Sequence, residues 1–141
     1  MKNLILTALF IFLGTTFAFS QENETVNLTI EFTVTKYNKG SIYLALYNSA
    51  NTYMKQGYKA TSAEVTDGKA TISFENIEKG TYAFSVFHDV NNNEKMDKNF
   101  MGIPKEPYGF SNNKKGKFGP PDFEKVKFEL EKSKTFQVNI K

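Results

Sequence analysis

Apolar and polar residues alternate along the first half of the chain. Val26, Leu28, Ile30, Phe32 and Val34 are apolar, and Asn27, Thr29, Glu31 and Thr33 between them are polar. A period of two sends successive side chains to opposite faces, so this spacing predicts a strand with one buried and one wet face. Asn38-Lys39-Gly40 supplies a turn, and Ile42, Leu44 and Leu46 repeat the pattern. These two strands are expected to pair as a hairpin. The other face of the second, Tyr43, Ala45 and Tyr47, is also apolar, which marks it as a central strand.

Residues 48–57 are polar and irregular, with Tyr53 and Met54 expected to fold back onto an edge. Ala60 to Val65 and Ala70, Ile72 and Phe74 then flank Asp67-Gly68. Asp-Gly between alternating runs predicts a second hairpin, because both turn positions favour positive φ. A glycine turn at Gly80 leads into Tyr82, Phe84 and Val86, and the alternation stops at His88. The next 34 residues, 89–122, have little periodicity and hold all four prolines. Their aromatics, Phe100, Tyr108, Phe110 and Phe118, argue for an ordered loop rather than a disordered one. Val126, Phe128 and Leu130, a turn at Ser133, and Phe136, Val138 and Ile140 complete the pattern. Seven short alternating strands with almost no helix predict an all-β, seven-stranded antiparallel β-sandwich with one long loop.

The first twenty residues stand outside that pattern. Lys2 precedes an apolar run, Leu4 to Leu13, and small residues at Ala18 and Ser20 precede Gln21. This is the layout of a secretory signal, and its apolar core is too short to span a bilayer. The expected mature chain is therefore residues 21–141, one domain, exported to the periplasm or the cell exterior. The chain has no cysteine, so neither a lipobox anchor nor a disulfide scaffold is expected. No later stretch approaches the ~20 apolar residues of a membrane helix.

Charge narrows the partners. Without Lys2 the chain carries 17 basic residues, all lysine, against 15 acids. The planar guanidinium fork that reads guanine or clamps phosphate is missing, so a nucleic-acid partner is not expected.

One stretch of the long loop carries the clearest chemistry. Counting from Asp89, oxygen side chains fall at positions 1, 3, 5 and 9: Asp89, Asn91, Asn93 and Asp97. Position 7, Lys95, offers its backbone carbonyl. A chain coiled around a hard cation presents every second residue inward, and calcium takes six to eight oxygens. Asn tolerates the left-handed backbone that such coiling needs. The spacing differs from an EF-hand, where Gly stands at position 6 and a bidentate Glu at position 12; here those are Glu94 and Phe100. A remaining ligand must come from elsewhere, with Glu106 first in line and Glu94 second. The same residues also suit a set of Asx turns closing a strand end without an ion.

Gly102 to Asn113 is the other unusual stretch. Tyr108 and Phe110 offer a stacking surface and Asn112 an amide, a set that could dock a carbohydrate or a peptide. Packing over an open end of the sandwich is the competing use of the same aromatics. His88, the single histidine, could serve a hydrolase with Asp89 or Asp97 and Ser111. It cannot complete a zinc site without a second His or a Cys.

Gly80-Thr81-Tyr82-Ala83, His88 to Asn93 with Asp97, Gly102 to Asn112, and Gly119-Pro120-Pro121-Asp122-Phe123 resemble the DUF2141 family of secreted bacterial proteins. The resemblance spans nearly all of the mature chain. It implies an immunoglobulin- or transthyretin-like sandwich, and Asn76 to Tyr82 is similar to Cna-B-like domains. The Phe19-Ser20-Gln21 region looks like that of exported Bacteroidetes proteins. It implies no activity. The expected function is a non-enzymatic binding or structural module with a calcium-ordered loop, whose partner is a carbohydrate or an envelope protein. A hydrolase is the alternative.

Overall fold

The computed structural model describes residues 24–116 and 119–141. The expected signal segment and Phe118 lie outside the described residues. The described residues are mostly β, with eight strands in two sheets. The first sheet has the order β4 (Lys69–Glu78), β1 (Thr25–Val34), β8 (Lys134–Ile140). The second runs β3 (Lys59–Glu64), β2 (Ser41–Tyr47), β5 (Gly80–Asp89), β6 (Tyr108–Phe110). β7 (Phe128–Leu130) pairs with Gly80–Tyr82 at the start of β5.

The alternating residues fill one core to which both sheets contribute. Leu28, Ile30 and Phe32 of β1 face Ile42, Leu44 and Leu46 of β2, joined by Phe84, Val86, Leu130 and Ile140. Each such side chain, fully buried, contributes roughly 1.5–3 kcal/mol. Periodicity alone loses β4 after Phe74, yet the strand continues to Glu78. Asn76 takes a left-handed φ of 53°, which inserts one extra residue opposite Val26–Leu28 and brings Ile77 back to the core. Its N–H, freed from the ladder by this bulge, donates to Asn27 Oδ1 at 3.1 Å.

Both expected hairpins are corrected. β1 and β2 do not pair; each lies in a different sheet, with residues 35–40 crossing between them. Asp67 and Gly68 do adopt positive φ, and Thr66 and Lys69 exchange two backbone hydrogen bonds at 2.9 and 3.0 Å. The strands then diverge, β3 to one sheet and β4 to the other. Strict antiparallel order is corrected as well, since β8 runs parallel to β1. The additional strand, β6, comes from the long loop, and Val126 sits on a one-turn helix, α1 (Phe123–Val126), not on a strand. β2 is central, between β3 and β5, as its two apolar faces require. No helix among the described residues is long and apolar enough to cross a membrane.

Candidate functional site: an acidic loop beside an apolar groove

Register places the site. Residues directly opposite in a ladder share a face, so two rows cross the outer face of the second sheet. One is Ser62, Tyr43, Phe87 and Tyr108; the other is Ala60, Ala45, Ser85 and Phe110. Tyr43 and Phe87 stack with centroids 5.2 Å apart and planes 12° from parallel. The second row is hollow, because Ala60, Ala45 and Ser85 are small. Above it lies an open groove of about 990 Å³, walled by Met54, Met96, Met101, Ile103 and Pro104.

Each end of this face is closed differently. At one end Tyr47, Tyr53, Ala83, Phe110, Phe123 and Val126 form a second apolar cluster. At the other, β5 ends at Asp89 and the chain coils over it. Asp89 is fully buried. Its Oδ1 accepts the Asn93 N–H at 3.2 Å and its Oδ2 the Glu94 N–H at 2.7 Å. That coil places Asn92 (φ 57°) and Glu94 (φ 62°) in the left-handed region. Glu94 therefore occupies position 6 of the loop in the conformation for which an EF-hand uses glycine.

Glu106, buried, closes the loop from the far side. Its Oε1 accepts the Val90 N–H at 3.0 Å and its Oε2 the Asp97 N–H at 3.1 Å, so one carboxylate ties both ends of the coil. The Lys105 N–H donates to the Asp97 carbonyl at 2.8 Å. Asn91 and Asn93 donate their amides to Asp97 at 2.8 and 3.0 Å. Their Oδ1 atoms accept the Asn93 and Lys95 N–H groups at 3.2 and 2.9 Å. Gly40 underlies the coil at φ 89°, where a Cβ would stand 2.1 Å from the Asp89 carbonyl.

Asp89, Asn91, Asn93, Asp97 and Glu106 are thus gathered into one knot. Lys95 takes part through its N–H. Phe100, at position 12, is 97% exposed. The ion pairs among the described residues are Lys79–Glu24, Lys125–Asp122 and Lys127–Glu124, and none of them reaches the two buried carboxylates. No group of three or more His, Asp or Glu side chains among the described residues is closed into metal-ligating geometry. Burial first, then the charges of Glu94 and Asp89, hold the Tyr43 hydroxyl above its ordinary pKa.

The hydrolytic residues are not brought together. His88 is fully buried on the core face of β5, and its Nε2–H donates to the Lys39 carbonyl at 2.7 Å. Ser111 accepts the Phe84 N–H at 3.1 Å and donates to the Val126 carbonyl at 2.6 Å. Phe84 lies four residues from His88 along β5, roughly 13 Å at strand rise. Tyr108 and Phe110 line the groove, Tyr108 exposed and Phe110 buried. Asn112 does not line it, because its amide donates to the Val126 and Lys127 carbonyls at 3.3 and 2.8 Å.

Sequence reading misses the groove itself. Its signal lies in the aromatic outward positions, Tyr43, Tyr47 and Phe87, of which Tyr43 and Tyr47 read by alternation only as the mark of a central strand.

The fold is that of a small β protein with an acidic loop at the end of a central strand. The chain belongs to the DUF2141 family, described as an uncharacterized protein conserved in bacteria, whose model matches residues 30–138. No curated protein and no solved structure matches it.

Proposed function

We propose that this protein is an exported, non-enzymatic binding module in which calcium orders the 89–97 loop and so fixes one wall of the groove. On this reading the two sheets form an immunoglobulin- or transthyretin-type sandwich, delivered to the periplasm or cell exterior by the signal-like first twenty residues. Carbohydrate and envelope protein are the partner classes that an aromatic, partly polar loop suits.

One observation carries the calcium reading: Asp89 and Glu106 are buried carboxylates that form no ion pair with a cationic side chain among the described residues. Buried charges are as a rule paired or metal-coordinating. Backbone N–H groups satisfy these carboxylates but bring no whole positive charge. Calcium would supply it, with Asn91 and Asn93 turning their amides over to offer oxygen. That turn gives up four hydrogen bonds of about 0.5–1.5 kcal/mol each. The cost favours the weak end of the calcium range, roughly 10⁻⁴–10⁻³ M, typical of extracellular modules.

Thermal melts in millimolar calcium and in EDTA test this. A rise in Tm with calcium that is lost in Asp89→Asn is the expected result, and coincident melts would sink it. A second reading has its own support. Every carboxylate oxygen of Asp89, Asp97 and Glu106 already accepts an N–H, so the loop could be a structural closure that needs no ion.

A further inference from the structure

The groove's lining speaks to its occupant more directly than the loop does. Among the described residues, the side-chain hydrogen-bonding groups of its floor are the hydroxyls of Tyr43, Tyr47, Thr61, Ser62, Ser85 and Tyr108, of which Tyr47 and Ser85 are paired with each other at 3.2 Å. A sugar brings a hydroxyl on nearly every carbon and would leave most of them facing apolar walls, each at a desolvation cost. Every methionine beyond the first residue lines this groove: Met54 from the β2–β3 connection, and Met96 and Met101 from the loop after β5. Thioether side chains are unbranched and adapt to an irregular apolar guest. The volume, about 990 Å³, is at the upper end of the range for small-molecule sites.

Charge selects among apolar guests. Among the described residues that line the groove, Lys98 is the one charged side chain, and it belongs to no ion pair among the described residues. The acidic loop lies beside the Tyr43 end of the floor, where the Ser41 hydroxyl at the start of β2 donates to Asn92 Oδ1 at 3.3 Å. A guest with a single negative head would be repelled there and drawn to the lysine.

We propose that the groove takes one free, single-chain amphiphile with an anionic head, a fatty-acid-like molecule. Its tail lies along the hollow row of Ala60, Ala45 and Ser85, beside Tyr43 and Phe87 and among the three methionines, and its head meets Lys98. This rests on the reading of the groove as a binding site, and it replaces the carbohydrate guest with a lipid-like one.

Fluorescence of 11-(dansylamino)undecanoate with the full mature chain reads the binding, with dodecanoate, dodecanol and maltoheptaose as competitors. Saturable one-to-one uptake displaced by dodecanoate is expected. Lys98→Gln should weaken dodecanoate roughly two- to five-fold, as loss of an exposed charge pair does, and leave dodecanol unchanged. Ala60→Trp, at an exposed edge-strand position on the groove floor, should block uptake while the far-UV circular dichroism stays that of the parent. Displacement by maltoheptaose alone, or equal competition by acid and alcohol untouched by Lys98→Gln, would overturn the proposal. So would uptake that persists in a folded Ala60→Trp chain. The assay is run at saturating calcium and again in EDTA. Uptake in both supports the amphiphile and removes calcium control of the wall. Uptake lost in EDTA supports both readings, and no uptake in either condition overturns the amphiphile whatever calcium does to the loop.

Discussion

The two ends of the second sheet's outer face are closed by opposite means. At one end Tyr47, Tyr53, Phe110, Phe123 and Val126 interlock as an apolar cluster, with centroids of Tyr53 at 5.1 Å from Tyr47 and 5.7 Å from Phe123. The polar atoms there are few, and Ser111 spends its hydroxyl on the backbone of Phe84 and Val126. At the other end hydrogen bonds make the closure, and three carboxylates accept six N–H bonds around a coil with left-handed residues at Asn92 and Glu94. The first closure depends on area removed from water and is indifferent to ions. The second depends on charge. On the proposed reading, ion sensitivity concentrates at the loop and stability at the cluster.

Substitutions should separate the two ends. Phe123→Ala opens the apolar cluster and should cost about 3–5 kcal/mol in urea denaturation, equally in calcium and in EDTA. A cost that changes with calcium would blur the division between the ends. Glu106→Gln keeps one acceptor but sets an NH₂ against a backbone N–H, which should cost about 1–3 kcal/mol. It should also abolish any stabilisation by calcium. Calcium added to the unaltered chain should have a comparable but smaller effect, about 1.4 kcal/mol at ten times its dissociation constant.

The smallest effect is at Tyr53, whose buried hydroxyl has no hydrogen-bond partner among the described residues. Burial chiefly, then the neighbouring Tyr47 and Asp122, push its pKa up to about 12. The folded state thus keeps the proton that an unfolded tyrosine loses near pH 10. Between about pH 10 and 12 the unfolded chain binds fewer protons than the folded one, so stability falls as pH rises through that window. Tyr53→Phe should flatten this alkaline loss and shift neutral-pH stability by less than ~1 kcal/mol, since it removes an unsatisfied group rather than a bond. A substantially larger loss at neutral pH would mean that the hydroxyl has a partner.

Strand positions were legible because alternation is a property of each strand by itself. Val26 to Val34 and Ile42 to Leu46 are buried in the expected phase. Their partners were not legible. An arch between two facing sheets and a hairpin within one sheet bury the same alternate residues, so Asn38-Lys39-Gly40 and Asp67-Gly68 read as hairpins. Asp67-Gly68 even forms the expected positive-φ turn before its strands part. The acidic loop was legible because oxygens two apart are a local pattern. Glu106 could be named from composition, but its two bonds across the coil depend on β6 returning beside β5. Gly40 under Asp89, and the groove with its three methionines, arise from contacts between segments far apart in the chain. No local spacing encodes them.

The loop's dependence on calcium is tested most directly by backbone amide NMR of the mature chain through a calcium titration. The amides of Asn93 and Glu94, which point at Asp89, and of Val90 and Asp97, which point at Glu106, should shift together. One saturable curve with a midpoint of roughly 0.1–1 mM is the predicted result, with the amides around Phe123 unmoved. Peaks of the loop that stay in place well beyond that concentration would contradict the account and leave the knot as a closure made of hydrogen bonds alone.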